Sequence, residues 1–481
     1  MKSMTAPLSA LALMLFASTA HAQINVSGQP GPGGQVPDAN QNPPVKPQTD
    51  ALQPASIPAL SGLADAAHYL YARDGILIKG VLNDDLQGNV TGGLRRGYDN
   101  GGGYSLGADW DTRKVFGDNG GQVHVQFTQF YGKTLQHNIG NAIKSEGWYY
   151  PVEHFNLSQM AYEQNLFDGK LNLYGGRVNA TAPFARPTYG CSFISGSQCP
   201  SYLQLMTGGF TSFPYVTWGG RFRYTPVDKI YIQSGAYEID PRRRTEEGFN
   251  FSLNGATGYV LPVEVGYGTD FNNDKYPRHF KLGGWYNSAP YTDPLLNSAG
   301  NSRALVGGTA KSYQGGRGGL YALADQVIYR PKDGSLRSLA LFASTSEPLD
   351  ERETFQSQST AGFFWTGPIA ARPNDTWGVM MTYIVFTGRE TEYMNELLEK
   401  AGSPGGINRD EVNLEMNYGY RLTRGVFIYP NFEYIINPDI SMRLNAKTAP
   451  GDAAIFGVRL SINLGDVLGL PSSIMPSHGL P

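Results

Sequence analysis

The sequence predicts an all-β protein: a closed, sixteen-stranded antiparallel transmembrane β-barrel preceded by one short helix. Three observations predict it. They are a composition suited to short strands and turns, a period-two alternation of apolar and polar residues, and connections that alternate between short and long. Of 481 residues only 16% are charged, while 60 Gly, 29 Tyr and 23 Phe stand against 2 Cys. Gly permits turn dihedrals and aromatic side chains suit a pleated surface, so many strands joined by tight turns are expected. A helical bundle is not. The one apolar run approaching the length of a membrane span lies at the extreme N-terminus, and a helical membrane protein needs several such runs. A formal charge of −3 supplies no basic field for nucleic acid, and that partner is set aside.

Residues 1–22 read as a secretory signal: Lys2 lies in the n-region, Leu8 to Ala17 are apolar, and Ala20-His21-Ala22 fits the small-x-small cleavage pattern. Such a signal implies an oxidising compartment, where Cys191 and Cys199 either pair into a small ring or remain as two thiols. Residues 23–58 carry eight prolines among Gln, Gly and Asn, a composition that buries no core and predicts an extended periplasmic segment. Over 59–74 the spacing of Leu63, Ala66, Ala67 and Leu70, closed by Asp74-Gly75, predicts a short helix. An isolated helix of this length is marginal in water, so it must dock.

From Ile76 to Leu464 the chain divides into segments with one apolar and one polar face. Val123, Val125 and Phe127 interleave with His124, Gln126 and Thr128; Phe456, Val458, Leu460 and Ile462 interleave with Gly457, Arg459 and Ser461. Segment starts fall near 76, 104, 121, 155, 170, 215, 228, 258, 278, 317, 336, 359, 376, 409, 424 and 453. Alternation alone fits a solvated sheet as well as a barrel. The connections decide. Even-numbered segments end in turn residues such as Asp168-Gly169, Pro226-Val227-Asp228, Pro331-Lys332-Asp333-Gly334 and Thr423-Arg424-Gly425. Odd-numbered ones lead into longer excursions, notably 131–154, 179–214, 288–316 and 388–408. That sorting over an even strand count fits an outer-membrane barrel with periplasmic turns and external loops. In a bilayer every backbone N–H and C=O needs a partner, which a closed barrel supplies. Tyr104, Trp110, Phe130, Tyr224, Tyr286, Tyr329 and Phe432 lie near segment ends, where outward aromatics would form an interfacial girdle. Sixteen strands leave a water-filled channel too wide for side chains to close, so a pore is the expected function.

Gly103-Tyr104-Ser105-Leu106-Gly107 matches the GxSxG nucleophile pattern, but no helix pattern follows it and chance accounts for such a match in a chain this rich in Gly. No catalytic residue is expected. The seven His residues lack metal-pair spacing and two Cys cannot build a cluster, so neither a metal nor a cofactor is expected. By alternation Lys79, Asp109, Arg221, Arg223, Lys281, Trp285, Glu415, Glu433 and Arg459 point into the lumen, and Arg177 joins them in one register through Gly175-Gly176. Any water-filled barrel is lined by mixed charge. Opposed Arg and acidic groups beside an aromatic would further suit sugars, whose paired hydroxyls match bidentate groups and whose C–H faces match a Trp ring. The expected solute contacts are therefore Lys79, Asp109, Arg177, Arg221, Arg223, Trp285, Glu415 and Glu433. The loop 179–214 is expected to fold inward, and a Cys191–Cys199 bond would restrict it by about 2–3 kcal/mol of chain entropy.

Several stretches resemble the OprB family of carbohydrate-selective porins: Leu173-Tyr174-Gly175-Gly176-Arg177, Trp218-Gly219-Gly220-Arg221, Gly283-Gly284-Trp285-Tyr286-Asn287, Gly319-Leu320-Tyr321-Ala322-Leu323-Ala324-Asp325-Gln326, and the run from Tyr429-Pro430-Asn431 to Asn437-Pro438. The resemblance spans about 61–464. It implies a sixteen-stranded channel of the Gram-negative outer membrane for passive uptake of mono- or small oligosaccharides. Its surroundings would be lipid and lipopolysaccharide, with a monomer and a homo-oligomer both compatible. The alternatives are a general diffusion porin and a secreted glycan-binding β protein. The chain departs from the family pattern in the long Pro/Gln-rich segment and in the tail 465–481, which replaces a terminal aromatic strand residue.

Overall fold

The computed structural model describes residues 60–117, 121–148, 154–199, 201–244 and 247–470. The expected leader, the Pro/Gln-rich segment and the end of the tail lie outside these residues. Sixteen strands close into one antiparallel barrel: β1 (Ile76–Gly93), β2 (Gly97–Asp111), β3 (Gly121–Gly132), β4 (Asn156–Leu166), β5 (Leu171–Val178), β6 (Thr217–Val227), β7 (Ile230–Ile239), β8 (Gly258–Gly268), β9 (Arg278–Asn287), β12 (Arg317–Tyr329), β13 (Ser338–Pro348), β14 (Phe355–Thr366), β15 (Thr376–Phe386), β16 (Asp410–Thr423), β17 (Val426–Ile436) and β18 (Gly451–Asn463). Strands β10 (Tyr291–Asn297) and β11 (Ala310–Tyr313) form a separate hairpin within one excursion. The ring closes where β1 pairs with β18, in a register running from Val81↔Asn463 to Gly93↔Gly451.

Period-two alternation sorts the two faces as expected. On β1, Leu77, Val81, Asn83, Asp85, Gln87 and Asn89 are buried toward the lumen while Leu86 and Val90 stand exposed on the bilayer side. Phe222 and Tyr224 on β6 and Leu282 and Tyr286 on β9 are likewise exposed outward. Phe130 is an exception to the expected girdle. It has the lumenal parity of His124 and Gln126 and is fully buried against Trp148 and Phe213, each 5.9 Å away between ring centroids.

The short turns 167–170, 228–229 and 424–425 face the long connections 133–155, 179–216, 240–257, 288–316, 387–409 and 437–450. Asp168 and Gly169 take φ of 56° and 84°, the left-handed conformation that Asp tolerates and Gly adopts freely. The alternation is not strict, because 94–96 and 349–354 are short on the long-loop side. At the first of these the strands supply the length. β1 and β2 run for 18 and 15 residues, the second starting at Gly97 instead of near 104, and their tip is tied down by Leu94 and Arg95 N–H groups donating to the Asn138 carbonyl at 3.0 and 3.1 Å.

Helix α1 (Ser61–Asp74) ends on Gly75 at φ 74°, whose N–H closes the last turn onto Leu70 and Tyr71 carbonyls. It docks as required. Ala67 is buried in a cluster with Leu77, Leu468 and Leu470, packed further by Leu60, Ala64, Tyr71 and Leu464. The tail therefore begins as structure: a single turn, α3 (Leu464–Val467), leaves β18 and carries Leu468 under α1, where its carbonyl lies 3.0 Å from His68 Nε2.

At the opposite end the excursions hold secondary structure. Thr387 caps α2 (Gly388–Lys400) by accepting from the Glu390 N–H at 3.3 Å, and Met394 and Leu398 bury its apolar face. Arg389 reaches Asp293 on β10 at 2.8 Å, Arg317 reaches Glu353 at 3.0 Å, and Tyr291 donates to Asp350 at 2.5 Å. These contacts bind hairpin, helix and the 349–354 connection into one cap. Burial pushes the Glu353 carboxyl up to about 7 against the pull of Arg317, and burial with the nearby Asp439 charge pushes Glu390 to about 7.

Two outcomes follow. Leu468→Ala should weaken the α1 contact by about 2 kcal/mol, seen as faster limited proteolysis within 61–74 with unchanged heat-modifiable migration of the barrel. Because both folded pKa values exceed the ordinary 4.5, the cap binds more protons than the open chain and loses stability as pH rises from about 4.5 to 7. Hydrogen exchange in 388–400, corrected for intrinsic rates, should be slower at pH 5 than at pH 8.

Candidate functional site

The lumen is occupied by backbone. The connection 179–216 enters it as a strap along β7–β18, and the wall supplies a partner every few residues. Gln233 donates to the Pro183 carbonyl at 2.7 Å, Glu264 accepts from Ala185 N–H at 3.0 Å, Lys281 donates to the Arg186 carbonyl at 2.9 Å, and Thr188 donates to Asp325 at 2.6 Å. Further round, Tyr189 and Phe193 pack among Val327, Ala340, Phe342, Phe364 and Met380. Cys191 and Cys199 are bonded, with Cα atoms 4.8 Å apart, and close a small ring at the strap's far end. A second connection, 133–155, meets it there: Gly196 N–H donates to the Lys144 carbonyl at 2.8 Å and Gly147 N–H to the Ile194 carbonyl at 2.7 Å. The expected inward loop is present.

Along β1–β6 Gln87 and Phe130 meet the inward connections, but another set of lumenal side chains bonds to one another. Lys79 donates to Asp109 at 2.7 Å; His124 lies 2.8 Å from Asp109 and 3.2 Å from Glu163; Asn172 donates to Glu163 at 2.7 Å and accepts from Arg221. The result is a chain of donors and carboxylates linked across six strands, with Asn172 as its β5 member. Arg221 also lies 5.8 Å from the Tyr174 ring, and Arg223 covers Tyr231 at 4.1 Å while donating to Gln233 at 3.0 Å. Among the two pairs that Lys79 and Arg221 make with acids, the Lys79 side chain keeps 17% exposure against 4% for Arg221.

The remaining expected contacts fare differently. Arg177 is not in the lumen. It pairs in register with Trp218 and shares the outward parity of Leu171 and Leu173. It is nonetheless fully buried, because 247–257 folds over it: the guanidinium donates to the Gly248 carbonyl at 3.3 Å, lies 3.7 Å from Glu238 and sits 5.6 Å from the Phe251 ring. Trp285 does face inward, but both its neighbours are protein. Tyr321 stacks on it at 6.3 Å, Phe210 of the strap meets it edge-on at 6.1 Å, and a Cβ added to Gly319 would lie 2.1 Å from its ring. It is a packing group, not a free plate for a sugar. Glu415 and Glu433 are lumenal and adjacent, as the β16–β17 register requires, yet both are buried: Glu415 accepts from the strap, and Glu433 accepts from Gln87 at 3.1 Å and Asn431 at 3.2 Å. They hold structure together and do not face solute.

Sequence reasoning passed over His124, Glu163 and Glu264, three polar links in these networks. Their parity was visible. Their importance was not, since each matters through its neighbours on other strands.

The carbohydrate-selective porin description of the OprB family matches residues 95–464. Porin B of Pseudomonas aeruginosa is 26% identical over 350 residues, covering 70% of this chain and 76% of that protein, and the putative porin QuiX of Acinetobacter baylyi is 24% identical over 399 residues, covering 74% and 86%. The fold is similar to the high-pH structure of Pseudomonas putida OprB, with a TM-score of 0.75 at 24% identity over 84% of this chain and 97% of that one. A closed sixteen-strand barrel, a lumen narrowed by its own loops and a family match over most of the sequence lead to one conclusion: the chain belongs to the OprB family of carbohydrate-selective porins, channels of the Gram-negative outer membrane.

Proposed function

We propose that mono- and small oligosaccharides diffuse through a passage bounded on one side by the β1–β6 lining and on the other by the strap. The observation that carries this reading is the alternating chain Lys79–Asp109–His124–Glu163–Arg221, which presents paired donors and acceptors without a large excess of either sign. A lining with both signs close together suits hydroxyl dipoles while offering neither ion sign a clear path. The solute contact is then Lys79, the most exposed member, with the buried Asp109, Arg221 and Arg223 holding the lining behind it. Arg177, Trp285, Glu415 and Glu433 have no such part.

Water and salt weaken each contact, and a channel must also release its substrate, so each contributes at most about 1 kcal/mol, roughly fivefold in affinity. Lys79→Ala combined with Arg221→Ala should raise ion conductance and flatten the preference for sugars over uncharged solutes of similar size in liposome swelling. Retained wild-type preference would show that these residues are an indifferent lining.

Passive diffusion needs no nucleophile, and among the described residues the GxSxG serine has a threonine, not a general base, as its side-chain partner. Ser105 lies in mid-strand with its Oγ 2.7 Å from Thr128 Oγ1, which in turn lies 2.9 Å from Ser158 Oγ. Ser105→Ala should leave sugar flux unchanged. Loss of an ester hydrolysis activity in that variant would establish catalysis instead.

A further inference from the structure

The ring 191–199 at the far end of the strap is pressed onto the wall opposite its root, and the contacts there are unequal. Gln358 donates to the Ser197 carbonyl at 2.7 Å, Gln198 to Thr360 at 2.6 Å, and Asn417 to the Ser192 carbonyl at 3.3 Å. All of these join neutral groups, and so do the further bonds in which Gln358 accepts from Ser201 at 3.0 Å and from the Leu203 N–H at 2.8 Å and Gln198 accepts from Ser344 at 3.3 Å. Glu415 makes a different contact. One carboxylate oxygen accepts from Ile194 N–H at 2.7 Å and from the Asn417 amide at 2.9 Å, while the other accepts from Ser195 N–H at 2.8 Å. Two consecutive backbone donors, both on buried residues, thus converge on one charged side chain that is itself 1% exposed. Arg459 completes the clasp, donating to the Ile194 carbonyl at 3.5 Å while held by Asp85 at 2.5 and 2.7 Å.

We infer that Glu415 is a positioning residue for transport: by latching Ile194 and Ser195 to β16 it fixes the strap and thereby sets the size of solute the channel admits. Only a carboxylate can serve this way. It offers acceptors on both oxygens, whereas Gln offers one and presents an NH2 group to a donor. Charge-assisted hydrogen bonds are also shorter and stronger than the neutral bonds elsewhere on the ring. The disulfide has another task. It joins two residues of the strap to each other, so it holds the ring's shape but ties nothing to the barrel.

The inference rests on the strap being the narrowing element of the proposed passage. Its test uses neutral polyethylene glycols of graded size, which are blind to sugar preference, so it can fail while the sugar reading stands, and the reverse. Single-channel conductance of Glu415→Ala, in protein whose heat-modifiable migration matches wild type, should rise and become noisier, and larger polymers should enter. Glu415→Gln should shift both readouts in the same direction by less. If Glu415→Ala does not fold, Glu415→Gln decides alone. Wild-type conductance and polymer cut-off in the folded variants, or an enlarged cut-off on reducing Cys191–Cys199 in wild type that the Glu415 variants do not show, would overturn the assignment and give the restraint to the disulfide.

Discussion

A sixteen-stranded barrel encloses more space than its own inward side chains can fill, and whatever narrows it must bring backbone into the lumen. Every peptide group so introduced arrives with an N–H and a C=O that need partners. Much of the interior answers that requirement. Gln233, Glu264, Lys281, Gln358 and Glu415 each end on a strap peptide group. The polar face of these strands is therefore less a wet surface than a set of fittings for a particular loop path. This explains why Glu264 and Glu415, which would be natural sugar ligands in an open pore, are buried: the strap reached them first.

In the proposed passage, what is left for solute is the sector of wall where side chains satisfy each other. The chain from Lys79 to Arg221 needs no loop to complete it, and it sets each carboxylate between a cationic or imidazole nitrogen on either side. A lining of this kind is stiff. Replacing one member leaves its neighbour with an uncompensated charge, so function and local stability are linked along β1–β6 more tightly than along the strap-covered sector.

Much of this was legible in the sequence because a strand has a period of two and a barrel wall has two solvents. Parity placed Lys79, Asp109, Arg221, Arg223, Glu415, Glu433 and Arg459 on the lumenal face without any knowledge of contacts. It could not see which lumenal residues a loop would cover, since that depends on where 179–216 runs. Arg177 was ambiguous because Gly175-Gly176 imposes no side-chain preference on either face, and its burial comes from a loop folding outside the wall. Trp285 had the right face and the wrong environment, set by Phe210 far along the chain. Helix α2 left a local signal that went unread, Thr387 followed three residues later by Glu390. The hairpin of β10 and β11 left only the length of 288–316.

The seam between β1 and β18 joins one end of the described chain to the other, with Asp85 facing Arg459 across it. Every other barrel pairing is between strands adjacent in the ring order and separated by one connection. Closure therefore waits until β18 has joined the sheet, and until then the sheet has two open edges, each a template for unwanted pairing. The docking of α1 on Leu468 and Leu470 places a contact between both ends of the described residues beside that seam. In an assembling molecule it would act as a late fastener, available only once the final strand has arrived and found the first.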